Sequence, residues 1–153
     1  MAPRPAAAPP SSMEALWTKL WSHDGSRRFM GGGIIGLVCG FTFGAVDAAN
    51  VVGLTGTKEP FTKSVARLGD PKVMRVFFAH QMRVTAGFGV MFAGYQVSRW
   101  GLEQSFPNME EEVQTILSAG AGIAPVLPSR AMRRNLPWML VLVGFDWWNG
   151  GVK

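Results

Sequence analysis

The hydrophobic positions of this chain fall into four apolar segments, each separated from the next by a polar stretch. The segments cover residues 28–52, 76–100, 113–129 and 136–148. The run 29–46 contains no charged residue, and about 20 mainly apolar residues suffice for a helix to cross a bilayer. The pattern predicts an all-α membrane protein with four short, glycine-rich transmembrane helices. The last two segments are brief enough to be buried or re-entrant elements instead of full spans.

Small residues recur at every fourth position of the first segment, which places them on one face of a helix. Such a face lets the backbone of a neighbouring helix approach closely, and this packing drives helix association in lipid. Further small residues follow in the second and third segments. The predicted helix-packing positions are Gly32, Gly36, Gly40, Gly44, Ala48, Ala86, Gly89, Gly94, Gly120 and Gly122.

A nucleotide-binding loop and a flexible linker account less well for the glycines. Gly31, Gly33 and Gly36 satisfy the G-x-G-x-x-G spacing of dinucleotide-binding loops, but residues 26–30 before them form no buried strand, which that motif requires. Flexible linkers are polar or serine-rich, whereas large apolar residues are interleaved with these glycines. Close helix packing is therefore the favoured interpretation.

The region before the first apolar segment divides into two parts. Residues 1–12 contain four prolines and no acid, which predicts a disordered, proline-rich tail. Residues 13–28 carry apolar side chains at helical spacing, including two tryptophans, and this predicts an amphipathic interfacial helix. Docking of that helix against a partner helix is the alternative. Residues 29–153 then form the predicted four-helix transmembrane domain.

Composition and charge favour a small polytopic membrane protein of one domain. Of 153 residues, 48% are hydrophobic and only 16% are charged, below the soluble average of about 25%. The net charge is +5, but the basic residues lie between apolar segments and form no stripe suited to nucleic acid. Eight Lys or Arg occupy the first and third connections, and six lie on the other side. This weak bias places both termini away from the cytoplasm or matrix.

Four ionisable residues lie in or near the apolar segments, where functional groups of membrane proteins are sought: Asp47, His80, Arg83 and Asp146. One interpretation makes Asp47, Arg83 and Asp146 a polar track for ions or a polypeptide. In the structural interpretation Asp47 pairs across helices and Asp146 reaches an interface. His80 and Arg83 then extend towards the basic connection. We favour the structural interpretation because all four residues lie near segment ends.

No enzyme template fits the chain. His23 and His80 form no metal-ligand pattern, and no combination of nucleophile, base and oxyanion site is recognisable. Cys39 is the only cysteine, which excludes an intramolecular disulfide. The acidic run 110–112 is interpreted as a solvated helix start. We expect no catalytic residue, no metal, no cofactor, no nucleic-acid partner and no small-molecule substrate.

The layout of small residues and spans resembles a known family. The likeness covers about residues 29–150 and rests on three glycine-rich groups and the basic residue that follows the last. These are Gly32, Gly36, Gly40 and Gly44, then Gly87, Gly89 and Gly94, then Ser118, Ala119, Gly120, Ala121 and Gly122 followed by Arg130. The chain is similar in these respects to the mitochondrial inner-membrane import translocase channel family. That family includes a related accessory subunit of respiratory complex I (NADH:ubiquinone oxidoreductase).

The resemblance implies a multi-pass protein of the mitochondrial inner membrane with both termini in the intermembrane space. Its accessory-subunit branch implies a non-catalytic structural or assembly subunit of the complex I membrane arm, in the respiratory electron-transport chain. The implied partners are membrane subunits of that large complex and the lipid bilayer, with bound phospholipid such as cardiolipin. The alternative is a subunit of an import translocase channel. Such a channel needs an acidic, hydrophilic cavity, for which only Asp47 and Asp146 are available.

Overall fold

The computed structural model describes residues 23–54, 66 and 69–150. This part of the chain is helical and contains no strand, so the all-α prediction is confirmed. Its helices are α1 (Asp24–Val51), α2 (Pro71–Ser105), α3 (Glu111–Ile123), α4 (Arg130–Arg134) and α5 (Leu136–Trp148), with a 3₁₀ turn at Ala124–Val126. The predicted tail 1–12 and residues 13–22 of the predicted amphipathic helix lie outside the described residues.

Helix α1 begins four residues earlier than the first apolar segment. Residues 24–28 therefore belong to the long helix, and the predicted boundary between an interfacial helix and a span at 28/29 is wrong. No proline interrupts this stretch, and Asp24 in the first turn interacts favourably with the helix dipole. At the other end Gly53 adopts φ 71°, and the Leu54 amide donates to the Ala49 carbonyl. This Schellman arrangement terminates α1.

Helix α2 extends the second apolar segment by five residues at each end. Asp70 caps its start by accepting a hydrogen bond from the Lys72 amide at 2.8 Å, and Pro71 occupies the first turn. The added turns are polar, so apolar periodicity alone does not reveal them. Local capping chemistry sets this boundary.

The third apolar segment is interrupted at a proline, whereas the fourth forms a single helix. The third segment, 113–129, covers most of α3 and the 3₁₀ turn, and α3 ends there because Pro125 cannot donate the backbone hydrogen bond that would continue it. The short α4 lies in the connection that follows this segment. The fourth segment matches α5 at both ends. Both α3 and α5 have 13 residues, about 20 Å of helix at 1.5 Å per residue.

Helix α1 is the one described helix that is both long and apolar enough to cross a membrane. Its 28 residues span about 42 Å. Helix α5 is apolar but shorter than the roughly 20 residues that a span requires. The structure thus contains one candidate span, and the four transmembrane helices stay a prediction.

The helices pass back and forth in sequence order. Helices α1 and α2 are antiparallel, since Gly32 lies beside Gln96 whereas Gly44 lies beside Gln81. Helix α3 begins where α2 ends, and its Gly122 lies against Met91. The 3₁₀ turn and α4 continue in the same direction, and α5 then returns. We call the two extremes the Arg99 end, where α1 begins, and the His80 end, where α1 stops.

The centre of the bundle is formed by α2. Phe88, Met91, Phe92 and Tyr95 are essentially inaccessible to solvent. They form one cluster with side chains of α3, α4 and α5: Ala119, Ile123, Ala131, Met132, Met139 and Val143. Helix α5 also stacks Trp138 on Phe43 of α1, with ring centroids 4.8 Å apart and planes inclined by 17°. Every other helix therefore packs on or around α2.

Candidate functional site

The glycine face of α1 lies directly against α2. Gly32, Gly36, Gly40 and Gly44 are all buried there, and Ala48 is fully inaccessible. A Cβ atom at Gly36 would overlap the Phe88 carbonyl, and one at Gly40 would lie 2.6 Å from the Phe88 Cβ. These contacts leave no room for a side chain, so the two helices meet backbone to backbone.

The small residues of the other helices divide into buried and exposed positions. Gly89 is buried beside Leu37, and Gly122 is buried so closely that a Cβ would lie 2.5 Å from the Met91 carbonyl. Gly94 lies next to Gly122, whose Cα would be 3.5 Å from an added Cβ. These three positions pack between helices.

Gly120 and Ala86 are not packing positions in this fold. A Cβ at Gly120 would meet nothing within 4 Å, because two residues turn a helix by about 200° and so point Gly120 away from the Gly122 face. Ala86 is exposed and lines an apolar groove of about 670 Å³ between α1 and α2. Phe29, Gly33, Leu37 and Val90 also line this groove. Neither residue is therefore packed between helices of the described chain.

The Asp47 cluster joins three helices at the His80 end. It consists of Asp47 on α1, His80 on α2, Arg134 on α4 and Asn135, which precedes α5. His80 Nε2 lies 2.7 Å from Asp47 Oδ2, and Asn135 Nδ2 donates to the same oxygen at 3.0 Å. Arg134 contacts both carboxylate oxygens at 2.8 Å, through Nη2 and Nε. The Asp47 carboxylate is 9% exposed and fully engaged.

The geometry assigns a tautomer to His80. Its Nε2 lies 2.7 Å from Asp47 but also 3.3 Å from Arg134 Nη2. Arginine can only donate, so the nitrogen cannot serve both neighbours unless it changes role. The shorter contact decides, and Nε2 carries the proton that points at Asp47. The predicted pairing of Asp47 across helices is therefore present, whereas His80 does not extend towards the loop.

The Asp146 cluster lies at the Arg99 end. It consists of Asp146 on α5 with Tyr95, Gln96 and Arg99 on α2. The Tyr95 hydroxyl donates to Asp146 Oδ2 at 2.9 Å, Gln96 Nε2 donates to Oδ1 at 3.0 Å, and Arg99 Nη1 donates to Oδ2 at 3.1 Å. All four residues are at least nine-tenths buried. Asp146 is therefore buried inside the bundle, where α2 supplies three donors to its carboxylate.

Further ion pairs extend this cluster to the surface. Arg99 Nη2 donates to Glu111 on α3 at 2.6 Å, and its Nε lies 3.4 Å from Glu103. Glu103 in turn lies 2.7 Å from Arg28 on α1. Glu111 is thus more than a solvated helix start, since it ties α3 to the end of α2.

The two clusters are separate. His80 and Arg99 are 19 residues apart on α2, or about 28 Å along the helix axis. Arg83 is exposed and belongs to neither cluster. The structure does not join Asp47, Arg83 and Asp146 into one track, because the two carboxylates lie at opposite ends and the apolar cluster of α2 lies between them.

Sequence patterns do not single out several members of the clusters. Arg134 and Asn135 lie in a connection between apolar segments, and Tyr95, Gln96 and Arg99 are not marked as partners of Asp146. The available signal is helical spacing, since Tyr95 and Arg99 are four residues apart and share a face. Within residues 23–54 and 69–150, no three His, Cys, Asp or Glu side chains converge on a metal site.

Comparison with known proteins adds nothing to this geometry. No family model matches the chain, and neither the curated proteins nor the solved structures include a match. A function therefore has to be inferred from the residues themselves.

Proposed function

We propose that this protein is a multi-pass membrane protein and a non-catalytic structural subunit of the membrane arm of mitochondrial respiratory complex I. The observation that carries the proposal is the distribution of polarity. Several charged and amide side chains are buried inside the bundle, among them Asp47, Arg99 and Asp146, whereas many large apolar side chains of the described helices face outward. The resemblance to the import translocase channel family supplies the complex and the inner membrane.

The outward face suits lipid or apolar protein neighbours. Ile116 is 70% exposed, Phe145 66% and Trp148 81%, and only 22% of the apolar window of α1 is buried. Inside the bundle, by contrast, Gln81, Gln96 and Ser118 are buried. Soluble proteins bury large apolar residues and rarely expose broad apolar surfaces unless another surface covers them.

The spacing of the two clusters fits the thickness of a bilayer. The roughly 28 Å between His80 and Arg99 is close to the roughly 30 Å hydrocarbon core. The proposed membrane position sets the exposed ends of both clusters at the two interfaces. Chain segments between these levels then present apolar side chains to lipid, even where α3 and α5 are individually short.

The hydrogen bonding of the two buried carboxylates favours a structural role over transport. Asp47 and Asp146 are both held by several donors and are not free to line a water-filled path. Their pairs instead fix α4 and α5 to the longer helices. The apolar groove between α1 and α2 is an open feature of the described surface that could receive another helix or an acyl chain.

Native gel electrophoresis of mildly solubilised mitochondria tests the proposal. The whole pool should resist carbonate extraction and migrate with a megadalton-scale assembly. Gly36→Leu should prevent incorporation because its side chain would collide with Phe88. Gly31→Leu should be incorporated, since a Cβ atom at Gly31 meets no atom within 4 Å. Release by carbonate, or a pool found mainly as a small free species, contradicts the proposal.

The import-channel alternative makes a different prediction. Purified protein reconstituted in planar bilayers should then conduct ions, and Asp47→Asn should change the selectivity. We expect silent bilayers for both proteins. Reproducible conductance that depends on Asp47 would replace the structural proposal with the channel.

A further inference from the structure

The two ends of the described bundle carry opposite charge. The cations at the His80 end are Lys72, Arg75, Arg83, Arg130, Arg133 and Arg134, and the acids there are Asp47 and Asp70. The acids at the Arg99 end are Asp24, Glu103, Glu110, Glu111, Glu112 and Asp146, and the cations there are Arg27, Arg28 and Arg99. The whole-chain count of Lys and Arg gives only a weak difference between the two sides. In the folded chain, however, the described basic residues concentrate at the His80 end and the described acids at the Arg99 end.

We infer that the basic rim at the His80 end, formed by Arg75, Arg83, Arg130 and Arg133, binds the phosphate headgroups of an anionic phospholipid. This inference rests on the proposed membrane placement. All four side chains are exposed, and within the described residues none is paired with a carboxylate. Arg134 is excluded from the rim because Asp47 already holds it.

Helix packing brings the arginines of different helices together. Met132 of α4 is buried against Gly87 of α2, and Arg83 lies one turn from Gly87 on the same face. Arg83 therefore lies next to α4. Because Met132 points inward, Arg130 and Arg133 project from the other sides of this short helix, consistent with their exposure.

Arg133 is already oriented for an external anion. Its Nη1 donates to the Leu127 carbonyl at 3.1 Å and lies 3.4 Å from the Pro128 carbonyl. A guanidinium has five N–H donors in a fixed plane, so Nη2 and Nε stay available for phosphate oxygens. Asp47 cannot compete, since its two oxygens are occupied by other donors.

In the proposed membrane placement, the basic rim lies at the depth of the lipid headgroups. The nearby Trp138 is half-exposed, and tryptophan is enriched at membrane–water interfaces. Basic pockets between helices at such an interface recognise cardiolipin-type headgroups. The acyl chains of an anionic phospholipid contact the apolar surface below the rim while its phosphate pairs with the arginines. A free anion makes only the second contact.

Titration of the purified full chain in dodecyl maltoside tests this inference. The thermal unfolding midpoint is followed while cardiolipin, phosphatidylcholine or inorganic phosphate is added. Cardiolipin should raise the midpoint, and the other two should leave it nearly unchanged. Equal shifts with phosphatidylcholine, or a full shift with inorganic phosphate, would overturn the inference.

The Arg83→Gln/Arg130→Gln double variant should weaken the apparent cardiolipin affinity by about 30-fold, at about fivefold for each arginine near an anionic surface. Both residues lack carboxylate partners in the described chain, so the midpoint without lipid should be preserved. Arg27→Gln removes an exposed cation from the opposite end and should retain wild-type affinity. An equal loss with Arg27→Gln would indicate net charge only and contradict a site. The titration uses isolated protein, so its outcome is independent of migration with a larger assembly.

Discussion

At the scale of single residues, two features hold the helices together. One is the set of glycines, which lack a side chain, and the other is a pair of carboxylates that each accept hydrogen bonds from several residues. The glycines of α1 bring its backbone against α2, which gives close van der Waals contact along the interface. Asp47 and Asp146 each accept hydrogen bonds from more than one residue, and this fixes helix ends that apolar contacts alone would leave free to slide. A buried ion pair costs desolvation, so its value lies in specificity as well as in stability.

Adding one methyl group to the glycine face should destabilise the fold. Gly36→Ala places a Cβ against the Phe88 backbone, which cannot move as a flexible side chain would, and should cost about 1–3 kcal/mol. Gly31→Ala meets open space on the same helix and should be neutral or stabilise by about 0.5–1 kcal/mol. Unfolding of both variants in a sodium dodecyl sulfate titration measures the difference. Equal stability of the two variants would contradict the packing described.

Removing one member of the Asp146 cluster should be more damaging than removing an exposed acid. Asp146→Ala removes the acceptor shared by Tyr95, Gln96 and Arg99, all buried, and should cost about 3–5 kcal/mol although Arg99 keeps Glu111. Glu112→Ala, at an exposed position, should change the unfolding free energy by no more than about 0.5 kcal/mol. The double variant Arg99→Met/Asp146→Leu should recover much of the loss. If Asp146→Ala unfolds like the wild type, the cluster does not stabilise the fold.

At the scale of helices, α5 is attached differently from the others. Helices α1 and α2 share the most extensive contact, followed by α2 and α3, whereas α5 lies further from its neighbours. Its connection is made by inward side chains, above all Met139 and Val143, and by the polar residues Asn135 and Asp146 near its two ends. A few side chains therefore determine whether α5 docks.

Truncating adjacent residues of α5 separates docking from helix formation. Met139 is fully buried and Leu140 is 52% exposed, so both changes lie in the same turn but only one opens a cavity. Met139→Ala should cost about 2–5 kcal/mol of unfolding free energy. Leu140→Ala should cost far less. Limited proteolysis in detergent provides the second measurement, and comparable resistance of both variants would mean that α5 is not held through Met139.

At the scale of the whole molecule, the alternation of direction places both described extremities at one end. Residue 23 precedes α1 at the Arg99 end, and α5 finishes at the same end beside the Asp146 cluster. The third pass uses three pieces, α3, the 3₁₀ turn and α4, to return to the His80 end. Broken helices are tolerated at membrane depth where neighbouring helices bury the interrupted backbone.

Site-directed labelling tests this topology within a membrane. In a Cys39→Ser background, cysteines replacing Asp24 and Asn149 should react with an impermeant maleimide from one side of intact mitoplasts or vesicles. A cysteine replacing Arg130 should react from the opposite side, because α4 lies at the His80 end. Labelling of all three from one side would contradict the proposed four-pass arrangement.

The sequence by itself determined the local features of this protein. Periodicity and composition predicted an all-α chain, the packing face formed by the α1 glycines and the limits of α5, and the break at Pro125 follows from local proline chemistry alone. These depend on neighbours within a few residues, which is what periodicity and proline chemistry describe. Polar helix ends escaped prediction, because residues 24–28 and the first turn of α2 lack an apolar pattern.

Only the tertiary structure decided which polar residues meet. Arg134 reaches Asp47 across 87 residues of chain, and Arg99 reaches Asp146 across 47. Local spacing carries no information about such pairs, since their geometry depends on how whole helices pack and where each one stops. For the same reason, the fold and not the sequence pattern established that Gly120 points outward, that Asp146 is buried, and that the described charges divide between the two ends.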